Sequence, residues 1–292
     1  MNLVAVVLNW NGGDDTLDAL ASLGDVPAIC VDNGSTDGSD ELVETRFPGV
    51  ELLRNRANLG FAGGNNIGIS RALERGAQWV LLLNNDAIVE PGAVTALEDA
   101  AAGFPDAGIL ACVVLNGDGT AVQYAGGRFN ARLGYSGRLV TDVPSAIRDT
   151  GRADGAAFAV SAAAIERVGG LDESLFMYVE DVEWSLRVRK AGFSIALVPE
   201  ARVLHKGSAS SGGRESTTNL YYSTRNTIAV CERYAPMPRG AQELRRGVVV
   251  ATHLAQAAMH PSRRAAGRAV IRGWRAARAG EKGPGNPPMI LR

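Results

Sequence analysis

Cysteine is scarce and forms no pattern. Cys30, Cys112 and Cys231 are odd in number, far apart and set in apolar or helical context. They read as reduced packing thiols of a cytosolic protein, neither a disulfide frame nor a metal cluster. Long hydrophobic runs are missing too: no apolar stretch approaches the ~20 residues of a membrane span. No basic segment or cleavage site precedes the first apolar pattern, Leu3–Leu8, so no secretory leader is expected. Nor is there an excess of positive charge. Lys and Arg number 30 against 31 Asp and Glu, which argues against a dedicated nucleic-acid binder.

That balance conceals a split. From Pro236 onward eleven basic residues face two acidic ones, a charge of +9, against −10 for residues 1–235. Such a tail suits an anionic surface. With 46% apolar and 21% charged residues, the chain can bury a substantial core.

The first half alternates short apolar runs with helical patterns, the mark of a parallel sheet covered by helices. Strands are expected at Leu3–Leu8, Ala28–Asp32, Val50–Arg54, Trp79–Leu83 and Gly108–Leu115. Helices are expected at Asp14–Leu23, Ser39–Arg46, Gly64–Arg75 and Gly92–Ala102. Residues 116–153 lack periodicity and read as an insertion or irregular β segment. Patterns return at Ala156–Val168, Val182–Ala191 and Ile195–Val198, and residues 219–234 and 240–279 read as helices, the last studded with arginine. A boundary near 235 separates a main domain, 1–235, with halves 1–115 and 116–235, from a basic helical extension, 236–292.

Polar loops follow three of the strands: Asn9-Trp10-Asn11-Gly12, Asp32-Asn33-Gly34-Ser35 and Asn84-Asn85-Asp86. Ligands of open α/β sheets bind outside these carboxyl ends, so the three loops point to one site. An aspartate leaving a buried strand, Asp32, can accept the N3–H of a uracil or thymine ring; Asx-turns use the same residues. Asp86 has no basic neighbour and suits Mg2+ or Mn2+, which commonly take one or two carboxylates plus substrate phosphates; a plain turn is the competing reading. Glu180-Asp181 ahead of a helix can supply a general base or simply favour the positive helix end. Helical periodicity puts Glu180, Glu183, Trp184 and Arg187 on one side and Asp181 on another. His205, after a short apolar run, could complete a metal site or be structural, with Lys206 and Ser208 available to phosphate oxygens. The Gly- and Ser-rich stretch Ser208–Gly213 could close over them.

The order of these signals resembles the inverting family-2 glycosyltransferases of the GT-A fold, in particular their bacterial rhamnosyltransferase-like branch. The matching stretches are Val6-Val7-Leu8-Asn9-Trp10-Asn11, Val31-Asp32-Asn33-Gly34-Ser35, Asn58-Leu59-Gly60-Phe61-Ala62-Gly63-Gly64-Asn65-Asn66-Ile67-Gly68 and Leu83-Asn84-Asn85-Asp86. Further along come Asp154-Gly155-Ala156-Ala157-Phe158, Gly169-Gly170-Leu171-Asp172-Glu173, Glu180-Asp181-Val182-Glu183-Trp184-Ser185-Leu186-Arg187 and His205. The resemblance spans roughly residues 3–230. It implies an α/β GT-A fold, a Rossmann-like, mostly parallel sheet covered by helices. It further implies that Asp32 reads the base, that Asn9 or Asn11 lines the base pocket, and that Asn58, Gly60 and Phe61 lie along the donor nucleotide and sugar. Asp86 becomes the surviving carboxylate of a D-x-D metal motif whose other positions are Asn84 and Asn85; with less negative charge, modest metal affinity follows. His205 becomes a second metal ligand and Asp181 the base, with Glu180 or Glu183 as substitutes.

The expected activity is transfer of one sugar, with inversion, from a UDP- or dTDP-sugar to a small-molecule, glycan or lipid-linked acceptor, using Mg2+ or Mn2+. The Q-x-x-R-W motif of processive synthases is absent, favouring single addition. The expected location is cytoplasmic, with peripheral membrane contact through the basic tail, whose Arg264, Arg268, Arg272 and Arg275 recur at helical spacing. Packing of the tail on the acidic domain surface is the alternative. A nucleotidyltransferase would need a basic Gly-rich loop, yet the first loop carries Asp14 and Asp15 and no Lys or Arg. An inactive glycan-binding relative would be expected to lack Asp86 or Asp181, and both are present.

Overall fold

The computed structural model describes residues 1–136, 140–207 and 216–285. The chain opens with β1 (Leu3–Asn9), α1 (Gly13–Ser22), β2 (Ala28–Asp32), α2 (Ser39–Arg46), β3 (Glu51–Arg54), α3 (Gly60–Glu74) and β4 (Trp79–Asn84). It continues through β5 (Ala87–Val89), α4 (Ala93–Gly103), β6 (Ala107–Asn116), β7 (Val122–Tyr124), β8 (Phe129–Asn130), β9 (Tyr135–Ser136) and β10 (Arg148–Asp149). Then come β11 (Ala157–Ser161), α5 (Ala162–Val168), α6 (Glu180–Lys190), β12 (Ser194–His205), α7 (Thr217–Tyr234), α8 (Arg239–Ala257) and α9 (Arg263–Ala279).

The main sheet follows the order β10-β12-β6-β11-β4-β1-β2-β3. It is mixed, with most of its paired residues in parallel ladders. The ladder β4-β1-β2-β3 is parallel, as is β6-β12, but β11 runs antiparallel between β4 and β6. The cause is the route of the chain. The chain leaves β6 at the carboxyl edge and, after an irregular stretch that adds β10 alongside β12, enters β11 from that same edge, so β11 runs backwards. Its leading residues, Asp154-Gly155-Ala156, are thereby delivered to the edge where the polar loops lie.

One apolar cluster fills each face of the sheet, led by Val6, Val31, Leu82 and Trp184 on one side and by Val7, Cys30, Leu81 and Leu97 on the other. The three cysteines are buried and free, and burial pushes their thiols up. No helix among the described residues is long and apolar enough to cross a membrane.

Two helix boundaries differ from the pattern-based ones. α3 begins at Gly60, not Gly64, because the Asn58 side chain accepts the Gly60 N–H at 2.8 Å and Gly60 takes φ +76°. The glycines that obscure this helix serve its packing: a Cβ on Gly64 would lie 2.4 Å from Leu8 Cδ1, and one on Gly68 2.3 Å from Val6 Cγ1. The single helix expected over 240–279 is two, α8 and α9, broken around Pro261, which supplies no backbone N–H. Both pack on α7, sharing an apolar cluster that includes Phe176, Tyr222, Ala257 and Val270.

Candidate active site

A cleft of about 270 Å³ opens at the carboxyl edge of the sheet. Its walls include Trp10, Asn33, Asn58, Gly60 and Phe61 on one flank, Asn84, Asn85, Asp86 and His205 at its floor, and Asp154, Tyr178, Glu180 and Asp181 on the other. The topology explains the convergence, because the carboxyl ends of β1, β2, β4 and β12 and the amino end of β11 all meet there.

On the first flank the polar residues hold one another. Asn9 is fully buried; its amide nitrogen donates to Asp32 Oδ1 at 2.9 Å and Ser39 Oγ at 2.8 Å, and its oxygen accepts from Thr16 Oγ1 at 2.7 Å. Asn9 therefore lies beneath the cleft, not in its wall. Asp32 is 3% exposed, and its Oδ2 accepts from the Gly34 and Ser35 N–H groups. Oδ1, with one donor, keeps acceptor capacity. Asn11 adopts φ +50°, a left-handed conformation that Asn tolerates, and its side chain accepts from Thr36 N–H. Asn33 is the hub: it donates to Asn58 Oδ1 and the Gly60 carbonyl and accepts from Leu59 N–H and Asn55.

At the floor, the antiparallel pairing of β5 with β12 sets His205 opposite Ala87, beside Asp86. His205 Nε2 lies 3.2 Å from Asp86 Oδ1, yet both ring nitrogens are buried without a hydrogen bond. A ring nitrogen and a carboxylate that converge without hydrogen-bond geometry suit a shared cation. Among the described residues no cluster of three or more His, Cys, Asp or Glu side chains could hold a metal. The donor set thus fits a Mg2+ or Mn2+ that takes its remaining ligands from phosphate and water. Lys206, expected near the phosphates, instead pairs with Asp15 and reaches Asp18 at 3.6 Å. The stretch Ser208–Gly213 lies outside the described residues.

The opposite flank holds the carboxylates. Asp181 Oδ2 accepts from Gly155 N–H at 3.1 Å and lies 3.4 Å from Arg152 Nη1. Burial raises its pKa, the Arg152 charge opposes that, and Asp154 adds to the rise. Glu180 is 5% exposed with Oε2 unpaired; burial and the charge of Asp181 push it up to about 8. Glu180 and Asp181 both reach the cleft, contrary to the periodicity argument, because they begin α6 and side chains there tilt past the helix end. Glu183 points away, accepting from Tyr234 Oη at 2.7 Å and Arg187 Nη2 at 2.8 Å, so it leaves the field of candidate bases.

The loop before α6 is strained. Phe176, Tyr178 and Val179 all have positive φ, Val179 at +73°, a genuine outlier for a β-branched residue. α7 braces it: Asn226 Nδ2 lies 2.8–2.9 Å from the carbonyls of Leu175, Met177 and Tyr178, and Arg225 donates to Leu175 O.

Residues 13–167 match the profile of glycosyl transferase family 2. The chain belongs to that family. It is 32% identical over 290 residues to the N-acetylglucosaminyl-diphospho-decaprenol L-rhamnosyltransferase of Mycobacterium tuberculosis, covering 86% of this chain and 94% of that protein. Its fold is that of S. aureus TarS in complex with UDP-GlcNAc, with TM-score 0.55, 12% identity, and 96% and 93% of the two chains covered. A mannosyltransferase of Pyrobaculum calidifontis in complex with GDP-Man and Mn2+ matches likewise, with TM-score 0.56, 16% identity, and 97% and 76% covered. The fold class is thus GT-A, and the chain is a glycosyltransferase.

Within this family-2 site, sequence reasoning passed over several residues. Arg152 sits next to last in the stretch without periodicity, yet it is buried, touches Asp181, stacks 5.3 Å from the Tyr124 ring centroid, and receives the Tyr124 hydroxyl at its carbonyl. No local signal marks it. Asn33 and Trp10 stand inside quoted motifs, so their positions were visible though their places in the wall were not.

Proposed function

We propose that this family-2 enzyme transfers a single hexosyl unit, with inversion, from a UDP- or dTDP-sugar to a lipid-linked acceptor. The observation that carries the mechanism is one cleft with the Asp86–His205 pair at its floor and the buried Asp181 in its wall. A nucleotide sugar would lie with its base toward Asp32 and Asn11, its ribose and sugar along Asn58, Gly60 and Phe61, and its diphosphate over Asn84, Asn85 and Asp86. Asp32 would accept the base N3–H through Oδ1, while Asn9 fixes the carboxylate from below. Asp86 and His205 would hold Mg2+ or Mn2+, which when bound neutralises the charge that builds on the departing diphosphate.

Asp181 takes the proton of the acceptor hydroxyl as that oxygen bonds to the anomeric carbon and the bond to the diphosphate breaks. A single displacement from the opposite face inverts the anomeric configuration and needs no enzyme nucleophile. Arg152 opposes the rise that burial imposes on the Asp181 pKa, and Met177 and Tyr178 help to exclude water, which would otherwise compete as acceptor.

The named activity of the mycobacterial relative supports L-rhamnose as the first sugar to test and a polyprenyl-diphosphate-linked amino sugar as the first acceptor. Peripheral membrane contact through the basic tail belongs to the same reading. The experiment is a panel of labelled UDP- and dTDP-sugars with that acceptor, with and without Mn2+, scoring the released diphosphate and the anomeric configuration of the product. Retention of configuration, or undiminished transfer in a chelator, overturns the mechanism.

A further inference from the structure

Ten large apolar side chains are exposed among the described residues, and six of them gather in one region. Leu244, Val248 and Leu254 lie on α8 and Met259 just beyond it, while Leu133 lies in the turn of the β8–β9 hairpin and Tyr135 opens β9. Leu244 is 72% exposed and Met259 67%. Leu244, Val248, Ala251 and Ala255 follow helical spacing and so share one side of the helix. The hairpin is fixed to α8 by Arg245, whose Nη1 donates to Ala131 O at 3.1 Å.

α9 lies alongside. A Cβ on Gly267 of α9 would come within 3.9 Å of Leu254 Cδ2. Its small face, Ala266, Ala269, Val270, Gly273 and Ala276, is buried, and Gly273 packs so closely on α7 that a Cβ would lie 2.4 Å from Tyr221 O. α9 is therefore seated by close apolar packing, not by its charges against an acidic surface. Arg264, Arg268, Arg272 and Arg275 stand exposed on its outer side, and the helix contains no acid. On α8 the exposed Glu243 is already paired with Arg246.

Deepening the membrane contact proposed above, we infer that the outer sides of α8 and α9 with the β8–β9 turn form a docking surface for an anionic lipid bilayer. An apolar helix side beside an unopposed arginine row meets both demands of an interface: shallow burial of Leu, Val, Met and Tyr among acyl chains and attraction to anionic headgroups. A protein partner would have to offer a matching acidic surface with an apolar stripe. A bilayer offers both everywhere. The same α7 that seats α9 braces the strained loop 175–179 of the cleft, so docking sets the cleft at a fixed attitude to the lipid surface, where a lipid-linked hydroxyl would arrive.

The test is flotation of the full chain with phosphatidylcholine vesicles that contain or lack phosphatidylglycerol, at low and high salt. Binding is expected only to the anionic vesicles. Each arginine near the surface strengthens binding about fivefold, so Arg264→Gln, Arg268→Gln and Arg275→Gln together should weaken it roughly a hundredfold. Leu244→Ser with Val248→Ser should remove the binding that survives high salt; all five positions are exposed or on the exposed side, and circular dichroism checks that the variants fold. Equal affinity for neutral and anionic vesicles, or no binding to either, overturns the proposal. So does a concentration-dependent dimer that Leu244→Ser dissolves, since a second copy would then own the face. The vesicles carry no acceptor, so this result stands apart from the lipid-linked acceptor of the proposed function, which fails instead if a soluble acceptor is used as efficiently as a lipid-linked one.

Discussion

The two flanks of the cleft use their polar groups in opposite ways. On the flank built by β1, β2 and the start of α3, Asn9, Asp32, Asn33 and Asn58 are bonded to each other and to nearby backbone. On the floor and far flank, both His205 ring nitrogens, Glu180 Oε2 and Arg152 Nε are buried without a hydrogen bond, and Phe176, Tyr178 and Val179 hold positive φ. Buried unpaired groups and strained backbone cost stability, and they persist where a ligand is to use them. Under the proposed function the first flank is a finished mould for the nucleotide, and the second is held ready, at a cost, for phosphate, metal and acceptor.

The largest effect should come from the floor. Asp86→Ala is expected to abolish transfer, and chelation to do the same to the wild type; turnover that persists in EDTA would sink the metal assignment. Next, Asp181→Asn should lower kcat by about 10²–10⁴-fold, the usual contribution of a general base, with donor affinity by calorimetry little changed. If kcat holds, Glu180 is the group to examine.

Arg152 sharpens the contrast. Burial pulls Asp181 toward its neutral form and Arg152 opposes it. Arg152→Met should thus move the acidic limb of the kcat/KM profile to higher pH, leaving the plateau less affected; an unmoved limb would reduce Arg152 to a packing residue. On the mould side, Asp32→Asn is expected to weaken UDP or dTDP binding by about 1.5–3 kcal/mol, the scale of a hydrogen bond to a charged group. Unchanged calorimetric affinity would make Asp32 solely the anchor of the Asn9 network.

The smallest effect concerns stability. Glu180 has a folded-state pKa raised from 4.5 to about 8, so the native state holds its proton more tightly than the unfolded chain. Its contribution is full below the unfolded value and is lost as pH rises through the folded one. Glu180→Gln should therefore flatten the decline of Tm between those two values, and a parallel decline in both proteins would refute the assignment.

Much of the mould was legible in advance because it is local. Strand, turn and helix cap follow each other within a few residues at Asp32–Ser39, and Asn84-Asn85-Asp86 ends a run of leucines whose burial is unmistakable. The other flank was legible only in its acids. That Glu180 and Asp181 share the cleft while Glu183 turns to Arg187 and Tyr234 depends on where α6 begins, and the strained loop and Asn226 set that start. Arg152 depends on β11 running backwards, which follows from a chain path through residues with no periodic signal.

By itself, then, the sequence determined the alternation of strands and helices, the polar loops at the sheet edge and the residue types able to bind a nucleotide and a cation, since periodicity and turn chemistry act over a few residues. The tertiary structure alone decided the antiparallel β11, the close packing of α3 on Leu8 and Val6, and the pairing of His205 with Asp86 and of Arg152 with Asp181. Those depend on packing and charge between segments tens to more than a hundred residues apart, where no local pattern reaches.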